Sequence, residues 1–306
     1  MRLATYRHAG RDRAGVVAVE RVHPFDGLDM RGVVALGLDA ALEAGERALR
    51  LDGVPLDEVR LLAPIRPASI RDFVAFEEHV EGVRRSVDGA RGVPDAWYDA
   101  PTFYFTNPHT VIGPDDAAAF PAACAARDFE LEVAAVVGPG AIFGYTILND
   151  WSARDLQSRE MQVRLGPAKG KDFATTLGPW IVTADELEGR RDADGFLDLR
   201  CTASVNGVEV GRDRLANMGW TFETLLAYAA RDSRVVPGDV LGSGTVGNGG
   251  CLAELWGRHG AAAPPPLRPG DVVTLTVEGL GTLTNTVAVA PPAPPLPAFR
   301  RPGGRR

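Results

Sequence analysis

Two glutamates stand two residues apart at the start of a long apolar run. Glu130 and Glu132 alternate with apolar residues in the segment DFELEVAAVV, which begins at Asp128. Alternate residues of a strand point to opposite faces, so we expect both carboxylates on one face. A second strand-like run, GYTIL, ends in Asn149 and Asp150, which could supply a third carboxylate. Three acidic oxygen donors without a nearby histidine or cysteine suit a hard divalent cation such as Mg²⁺, Mn²⁺ or Ca²⁺.

Cationic and amide side chains follow these acidic residues. The segment WSARDLQSREMQVR, directly after Asp150, has helical spacing and would place Arg154 and Gln157 on one side of a helix. Lys171 follows in GKDFATT. Cations beside several carboxylates would offset surplus negative charge and bind an anionic substrate. Taken singly, each of these residues could equally be a solvated surface charge.

An acid and a histidine stand seven residues apart in the earlier segment DFVAFEEHVEGVRR. The spacing of its apolar residues predicts a helix, which would place Asp72 and His79 near one face, two turns apart. Asp72 is also a suitable N-cap residue. From spacing alone, His79 would be an ordinary surface or helix histidine.

Composition limits the class of protein. The 306 residues are 45% hydrophobic, which is enough for one large domain and a small one. The net charge of −7 argues against nucleic acid or an anionic membrane as the main partner. No apolar run reaches the roughly 18 residues of a membrane-spanning helix, and the first residues lack a hydrophobic signal core. The three cysteines are far apart and are expected to be buried free thiols. These features predict a cytoplasmic protein.

The chain divides at its proline-containing segments. Residues 1–65 contain two short strand-like runs and one helical run, and prolines 64 and 67 then interrupt the pattern, so we expect a small N-terminal β-rich domain. Residues 291–306 are rich in proline and arginine and are expected to be loosely ordered. The segment LGSGTVGNGG is not a phosphate-binding loop, because it lacks GxxxxGK[ST] and a βαβ context.

The segments named above, over about residues 65–290, resemble the fumarylacetoacetate hydrolase family. DFELE resembles its paired-glutamate strand, NDWSARDLQ its strand-to-helix motif and GKDFATTLGPW its lysine segment. GSGTVG and PGDV resemble segments of its C-terminal part. The resemblance implies a mixed, β-rich α/β fold with a central mixed sheet forming a barrel or roll. It also implies a catalytic domain over residues 66–290 and a homodimer.

The resemblance also assigns roles to individual residues. It implies a catalytic histidine, His79, oriented by Glu254 in CLAEL. Where related decarboxylases and acylpyruvate hydrolases place a glutamate three residues after the histidine, this chain has Gly82, and Glu81 is one residue too early, which favours Glu254. Met161 stands where the family has a second substrate tyrosine, and the segment from there to the lysine is one residue longer. The implied metal ligands are Asp72, Glu130, Glu132 and Asp150, and the implied substrate and transition-state contacts are Tyr104, Arg154, Gln157, Lys171 and Thr245.

The implied reaction is metal-assisted hydrolysis of a carbon–carbon bond in a β-diketone or dioxo acid, with Mg²⁺ as the expected ion. His79 would take a proton from water, while Lys171, Arg154 and Gln157 would stabilise developing oxyanions. One alternative is an oxo-acid decarboxylase, hydratase or isomerase on the same scaffold. Another is a catalytically silent scaffold that binds a divalent ion. The partner in the first two cases is a small oxo-acid or diketone.

Overall fold

The computed structural model describes residues 1–260 and 262–300. The strands are β1 (Arg2–His8), β2 (Arg11–Ala18), β3 (Arg21–Pro24), β4 (Val54–Pro55), β5 (Arg60–Leu61), β6 (Ile70–Phe73), β7 (Phe103–Thr106), β8 (Val111–Ile112), β9 (Ala117–Phe120), β10 (Arg127–Asp128), β11 (Leu131–Val137), β12 (Ile142–Asp150), β13 (Ser152–Ala153), β14 (Thr175–Thr183), β15 (Arg200–Val205), β16 (Val208–Arg214), β17 (Val240–Gly242), β18 (Val272–Val277) and β19 (Gly281–Val289). The α-helices are α1 (Met30–Ala35), α2 (Leu38–Ala48), α3 (Glu77–Val83), α4 (Asp95–Asp99), α5 (Arg154–Met161), α6 (Phe222–Ala230) and α7 (Leu252–His259).

A twelve-stranded sheet forms the centre of the molecule, in the order β4-β3-β2-β1-β14-β12-β11-β17-β6-β7 with β5 and β8 attached. All seven residues of β11 are buried. This strand pairs antiparallel with β12 on one side and with β17 on the other, and β17 pairs in parallel with β6. The continuous apolar run in LEVAAVV matches this position, because a strand covered on both faces needs no polar side.

A second sheet of five strands, in the order β16-β15-β18-β19-β9, covers part of the first. Asn206 and Gly207 join β15 to β16 with φ angles of 50° and 78°, as expected for a two-residue hairpin turn. The main core includes Val133 of the large sheet and Leu275 of the second sheet. The neighbouring Ala134 belongs to a separate core cluster that includes residues of α1 and α2. The large sheet is therefore packed on both faces.

The N-terminal strands extend the large sheet. Arg2 and Leu3 of β1 pair with Val182 and Ile181 of β14. The division of the chain at residue 65 stays a prediction. Residues 290–300 contain no helix or strand, and residues 301–306 of the predicted tail lie outside the described residues.

The mixed, β-rich α/β fold is confirmed, but the barrel or roll is not. In the part of the chain that the structure describes, both large sheets end in free edges, at β4 and β7 in one and at β16 and β9 in the other. The prediction that a helix begins at Asp72 is also wrong. Asp72 lies in β6, and α3 begins only at Glu77. The strand has only four residues and the helix after it only seven. In such short elements the spacing of apolar residues does not distinguish a strand from a helix.

The cysteines and the helix lengths can also be compared with the expectations from the sequence. Cys124, Cys201 and Cys251 are all buried and free, as predicted. Among the described helices, none has the length and apolar character needed to cross a bilayer.

Candidate active site

Four carboxylates carried by β6, by β12 and by the start of β11 meet at one site of the large sheet. Asp72 lies in β6, Glu130 directly precedes β11, Glu132 lies in β11, and Asp150 ends β12. Their potential ligand oxygens all lie within 4.8 Å of one another, and none of the four residues is more than 5% exposed. Gly242 of β17 leaves room for them, because a Cβ there would stand 2.5 Å from Asp72 Oδ1 and 2.8 Å from Glu132 Oε2.

These buried carboxylates do not titrate alike. Burial, and then the neighbouring charge of Asp150, raises the pKa of Asp72 well above its usual range. Burial followed by Asp72 does the same to the pKa of Glu132. Burial alone would also raise the pKa of Glu130, but Lys171 and then Arg154 outweigh it and hold that pKa well below its usual value.

The cluster suits a divalent metal ion. Burying several carboxylates is costly unless a cation compensates them. Oδ1 of Asp72 and Oδ1 of Asp150 are buried without a hydrogen-bond partner among the described residues. A set of carboxylate oxygens with unused lone pairs, and without histidine or cysteine, is the donor set of a hard cation.

Two cations lie against the carboxylates. Lys171 Nζ donates to Asp150 Oδ2 at 2.6 Å and also to Glu130 Oε2. Arg154 Nη2 is 2.7 Å from Glu130 Oε1, and Arg154 Nη1 donates to Gln157 Oε1 at 3.1 Å. Burial would lower the pKa of Lys171, but Asp150 and Glu130 outweigh it and raise that pKa above its usual value. Lys171 is therefore a fixed ammonium group.

The remaining expected substrate residues lie in different surroundings. Tyr104 of β7 donates its hydroxyl to Asp150 Oδ2 at 2.5 Å, so it belongs to the cluster. Thr245 is buried in the glycine-rich loop that follows β17. Met161 is the last residue of α5 and is 38% exposed.

A histidine and a glutamate face each other where α3 and α7 meet. His79 Nδ1 is 3.9 Å from Glu254 Oε2 and 3.7 Å from Cys251 Sγ. Both His79 and Glu254 are buried, which contradicts an ordinary surface histidine. Burial lowers the pKa of His79 to about 4, so its ring is neutral at neutral pH. Burial raises the pKa of Glu254 to about 7. A neutral imidazole beside a carboxylate can act as a general base.

Two residues at this site were missed by sequence reasoning. Asp128 is fully buried; it accepts from Arg154 Nε at 2.8 Å and from the N–H groups of Leu252 and Ala253, which begin α7. This one carboxylate therefore fixes both Arg154 and the helix that carries Glu254. The sequence gives no signal for it, because the helix it caps begins 124 residues later. The second missed residue, Arg258, forms an ion pair with Glu254 at 2.7 Å.

Two known families match this chain, one over its N-terminal residues and one over most of the rest. Residues 68–288 match the family described as fumarylacetoacetate (FAA) hydrolase C-terminal, and residues 1–64 match the one described as Rv2993c-like, N-terminal. The chain therefore belongs to the fumarylacetoacetate hydrolase family.

Relatives by sequence include fumarylacetoacetase of Arabidopsis thaliana. It is 36% identical over 221 residues, which are 54% of this chain and 52% of that protein, so the match spans about half of that relative's length. Protein Rv2993c of Mycobacterium tuberculosis is 33% identical over 246 residues, covering 76% of this chain and 80% of that one.

Similar solved structures come from enzymes with different names. 5-Carboxymethyl-2-hydroxymuconate delta-isomerase of Mycobacterium smegmatis has a TM-score of 0.68 and 25% identity, covering 95% of this chain and 100% of that chain. Maleylpyruvate hydrolase of Sphingobium sp. SYK-6, in complex with manganese(II) and pyruvate, has a TM-score of 0.70 with the same coverage. At 21% identity the latter shows the fold alone.

Proposed function

We propose that the protein is a divalent-metal-dependent hydrolase that cleaves a carbon–carbon bond in a β-diketone or dioxo acid. The observation that carries this proposal is the buried cluster of four carboxylates beside Lys171 and Arg154, with the buried pair of His79 and Glu254 nearby. Mg²⁺ is the proposed ion. A protein of the same fold has been determined in complex with manganese(II) and pyruvate, and the proposal adopts the same classes of ion and ligand.

The acidic cluster would hold the ion. Its ligands would be Asp72, Glu130, Glu132 and Asp150, and an ion bound there supplies a Lewis acid for the oxygens of the substrate. Lys171 and Arg154 contact Glu130. Their positive charges reduce the surplus negative charge of the cluster, which would make binding of an anionic substrate more favourable.

The histidine would activate water. Neutral His79 takes a proton from water, whose oxygen adds to the carbonyl carbon of the substrate. Glu254 then stabilises the imidazolium. The carbon–carbon bond breaks with its electron pair on the leaving carbon, and the proton that His79 took from water passes to that carbon to complete the hydrolysis.

The other polar residues would bind the substrate and the developing charge. Lys171, Arg154 and Gln157 are proposed to stabilise oxyanions, since buried donors that are already in place need little reorganisation during the reaction. Tyr104, Thr245 and Met161 are proposed to contact the substrate. A homodimer in the cytoplasm stays a prediction from the sequence.

An isomerase or decarboxylase acting on an oxo-acid is the second candidate. It is favoured by the similarity to a hydroxymuconate isomerase at 25% identity. The same carboxylates would serve it, and the difference would lie in whether water reacts. A silent ion-binding scaffold gives no role to the buried pair of His79 and Glu254 or to the buried Lys171.

Turnover of a panel of 3-oxo and 2,4-dioxo acids, each with Mg²⁺ and with Mn²⁺, tests the proposal. The measurements are the loss of ultraviolet absorbance of the enolised diketone and the identity of the products. Hydrolysis yields two acids, or an acid and a ketone. Release of carbon dioxide or formation of an isomer would support the second candidate. Metal binding without turnover of any substrate would support the scaffold.

Variants then test the roles of the base and its partner. His79→Ala and Glu254→Gln should each lower kcat by about 10²–10⁴, the usual contribution of a general base. The double variant should be little worse than the worse single variant, because the two residues act together. Metal affinity should stay near that of the wild type. His109→Ala, at an exposed histidine, is the matched control.

A further inference from the structure

Arg258 is a charged residue of α7 to which the proposed reaction gives no role. It stands four residues after Glu254 and on the same helix face. Its Nη2 is 2.7 Å from Glu254 Oε1, and its Nη1 donates to Asn248 Oδ1 at 2.9 Å. The Glu254 side chain is fully buried, whereas that of Arg258 is 34% exposed. The ion pair therefore joins a buried carboxylate to a cation that reaches solvent.

The two oxygens of Glu254 have different surroundings. Oε1 contacts Arg258 and accepts from the N–H of Gly249 at 3.3 Å. Oε2 is buried, has no hydrogen-bond partner in the described part of the chain, and faces His79 Nδ1 at 3.9 Å. Since the two oxygens belong to one rigid group, holding Oε1 determines where Oε2 points.

The helices that carry the pair are in backbone contact. A Cβ at Gly82 of α3 would stand 2.4 Å from Glu254 Cγ, and a Cβ at Gly257 of α7 would stand 1.9 Å from the carbonyl oxygen of Gly82. This close crossing determines how far apart His79 and Glu254 lie. The direction of the carboxylate then depends on the contacts of its own oxygens, and among the described residues Arg258 is the charged contact of Oε1.

We propose that Arg258 is a positioning residue, which holds Oε1 of Glu254, directs Oε2 toward Nδ1 of His79 and favours the carboxylate form of Glu254. This inference rests on the proposed function, in which His79 is the base. Arg258 itself touches neither substrate nor reacting atoms.

The charges around Glu254 are consistent with this role. Burial raises the pKa of Glu254, Arg258 opposes the rise, and Asp213 of β16 adds to it. Of the other groups that face it, His79 has a pKa lowered by burial, and the Cys251 thiol has one raised by burial, so both are neutral near pH 7. Removing the positive charge of Arg258 would therefore favour the protonated form of Glu254, which cannot stabilise an imidazolium.

The first test is kinetic. Arg258→Ala should lower kcat at pH 7 by about 10-fold or more, which is a part of the 10²–10⁴ that a general base contributes, with little change in KM. The acid limb of the kcat profile should move up by about 1–3 pH units, the usual effect of losing an adjacent opposite charge. Arg258→Lys and millimolar guanidinium added to Arg258→Ala should each restore much of the rate. Arg47→Ala, which removes an exposed i,i+4 pair with Glu43, should change none of these.

The second test needs no substrate. Nitrogen NMR of the histidine rings reports which ring nitrogen carries the proton, and His79→Gln assigns the signal among the five histidines. The wild type should hold the proton of His79 on Nδ1, toward Glu254, and Arg258→Ala should weaken this preference.

Two results would overturn the inference. One is an Arg258→Ala variant whose kcat and pH profile match the wild type. The other is a loss of rate that neither Arg258→Lys nor guanidinium restores, with an unchanged His79 spectrum. If the wild type turns over no oxo-acid, the proposed function fails, and the His79 spectra of the wild type and Arg258→Ala still decide whether Arg258 positions the pair.

Discussion

Replacing Gly82 by alanine tests whether the reaction needs the close crossing of α3 and α7. Alanine favours a helix over glycine by about 0.5–1 kcal/mol, so the local effect on α3 is stabilising. The added Cβ would, however, stand 2.4 Å from Glu254 Cγ and 3.2 Å from its Cα. Either the two helices separate, or Glu254 changes its position.

The size of the effect follows from these distances. Packed carbon atoms lie about 3.5–4.0 Å apart, so relief of the contact requires a movement of about 1 Å or more. A misplacement of about 1 Å can cost about 10²-fold in rate, and His79 and Glu254 already lie 3.9 Å apart. Overpacking costs about 1–3 kcal/mol, which the helix preference partly offsets. We therefore expect a loss of kcat near 100-fold with only modest destabilisation.

The assay combines kinetics with unfolding. We would measure kcat and KM on the best oxo-acid substrate, the free energy of unfolding in urea, and Mn²⁺ affinity by calorimetry. Mn²⁺ affinity should be unchanged, since the close contacts of position 82 are with Glu254. Gly189→Ala is the matched control, because a Cβ there has nothing within 4 Å and the residue lies in a short 3₁₀ helix. Wild-type kcat in Gly82→Ala, or an equal loss in the control, would refute the reasoning.

The remaining predictions concern the carboxylates. Asp150→Asn should reduce the rise in Tm that Mn²⁺ produces, because it replaces an anionic carboxylate ligand with a neutral amide. The exposed Asp185→Asn should not, and an equal rise in both would contradict the site. Asp128→Asn should lower both kcat and stability, the latter by about 1.5–3 kcal/mol for a charge-assisted hydrogen bond, because Arg154 loses its anionic anchor; unfolding in urea measures this. Burial raises the pKa of Glu254 from 4.5 to about 7, so the folded protein binds this proton more tightly than the unfolded chain, and the contribution of Glu254 to stability falls as pH rises through that window. Glu254→Gln should flatten this decline and gain in Tm relative to the wild type above pH 7, whereas identical pH slopes would count against it.

The sequence alone indicated the parts of the site that depend on local patterns. The alternation around Glu130 and Glu132 predicted a strand with both carboxylates on one face, and both belong to the buried cluster. The Asn206-Gly207 turn was equally readable, because positive φ angles favour these residues. Alternation and turn chemistry involve only neighbouring residues, so they do not require knowledge of the rest of the fold.

The tertiary structure decided which distant residues meet. Asp72 reaches the cluster from a strand rather than a helix, because β6 pairs with β17. Asp128 caps a helix that begins 124 residues later, and Glu254 faces His79 because two glycines let α3 and α7 touch. Such contacts depend on strand register and on packing between elements far apart in the chain, and residue spacing within one segment carries no information about either.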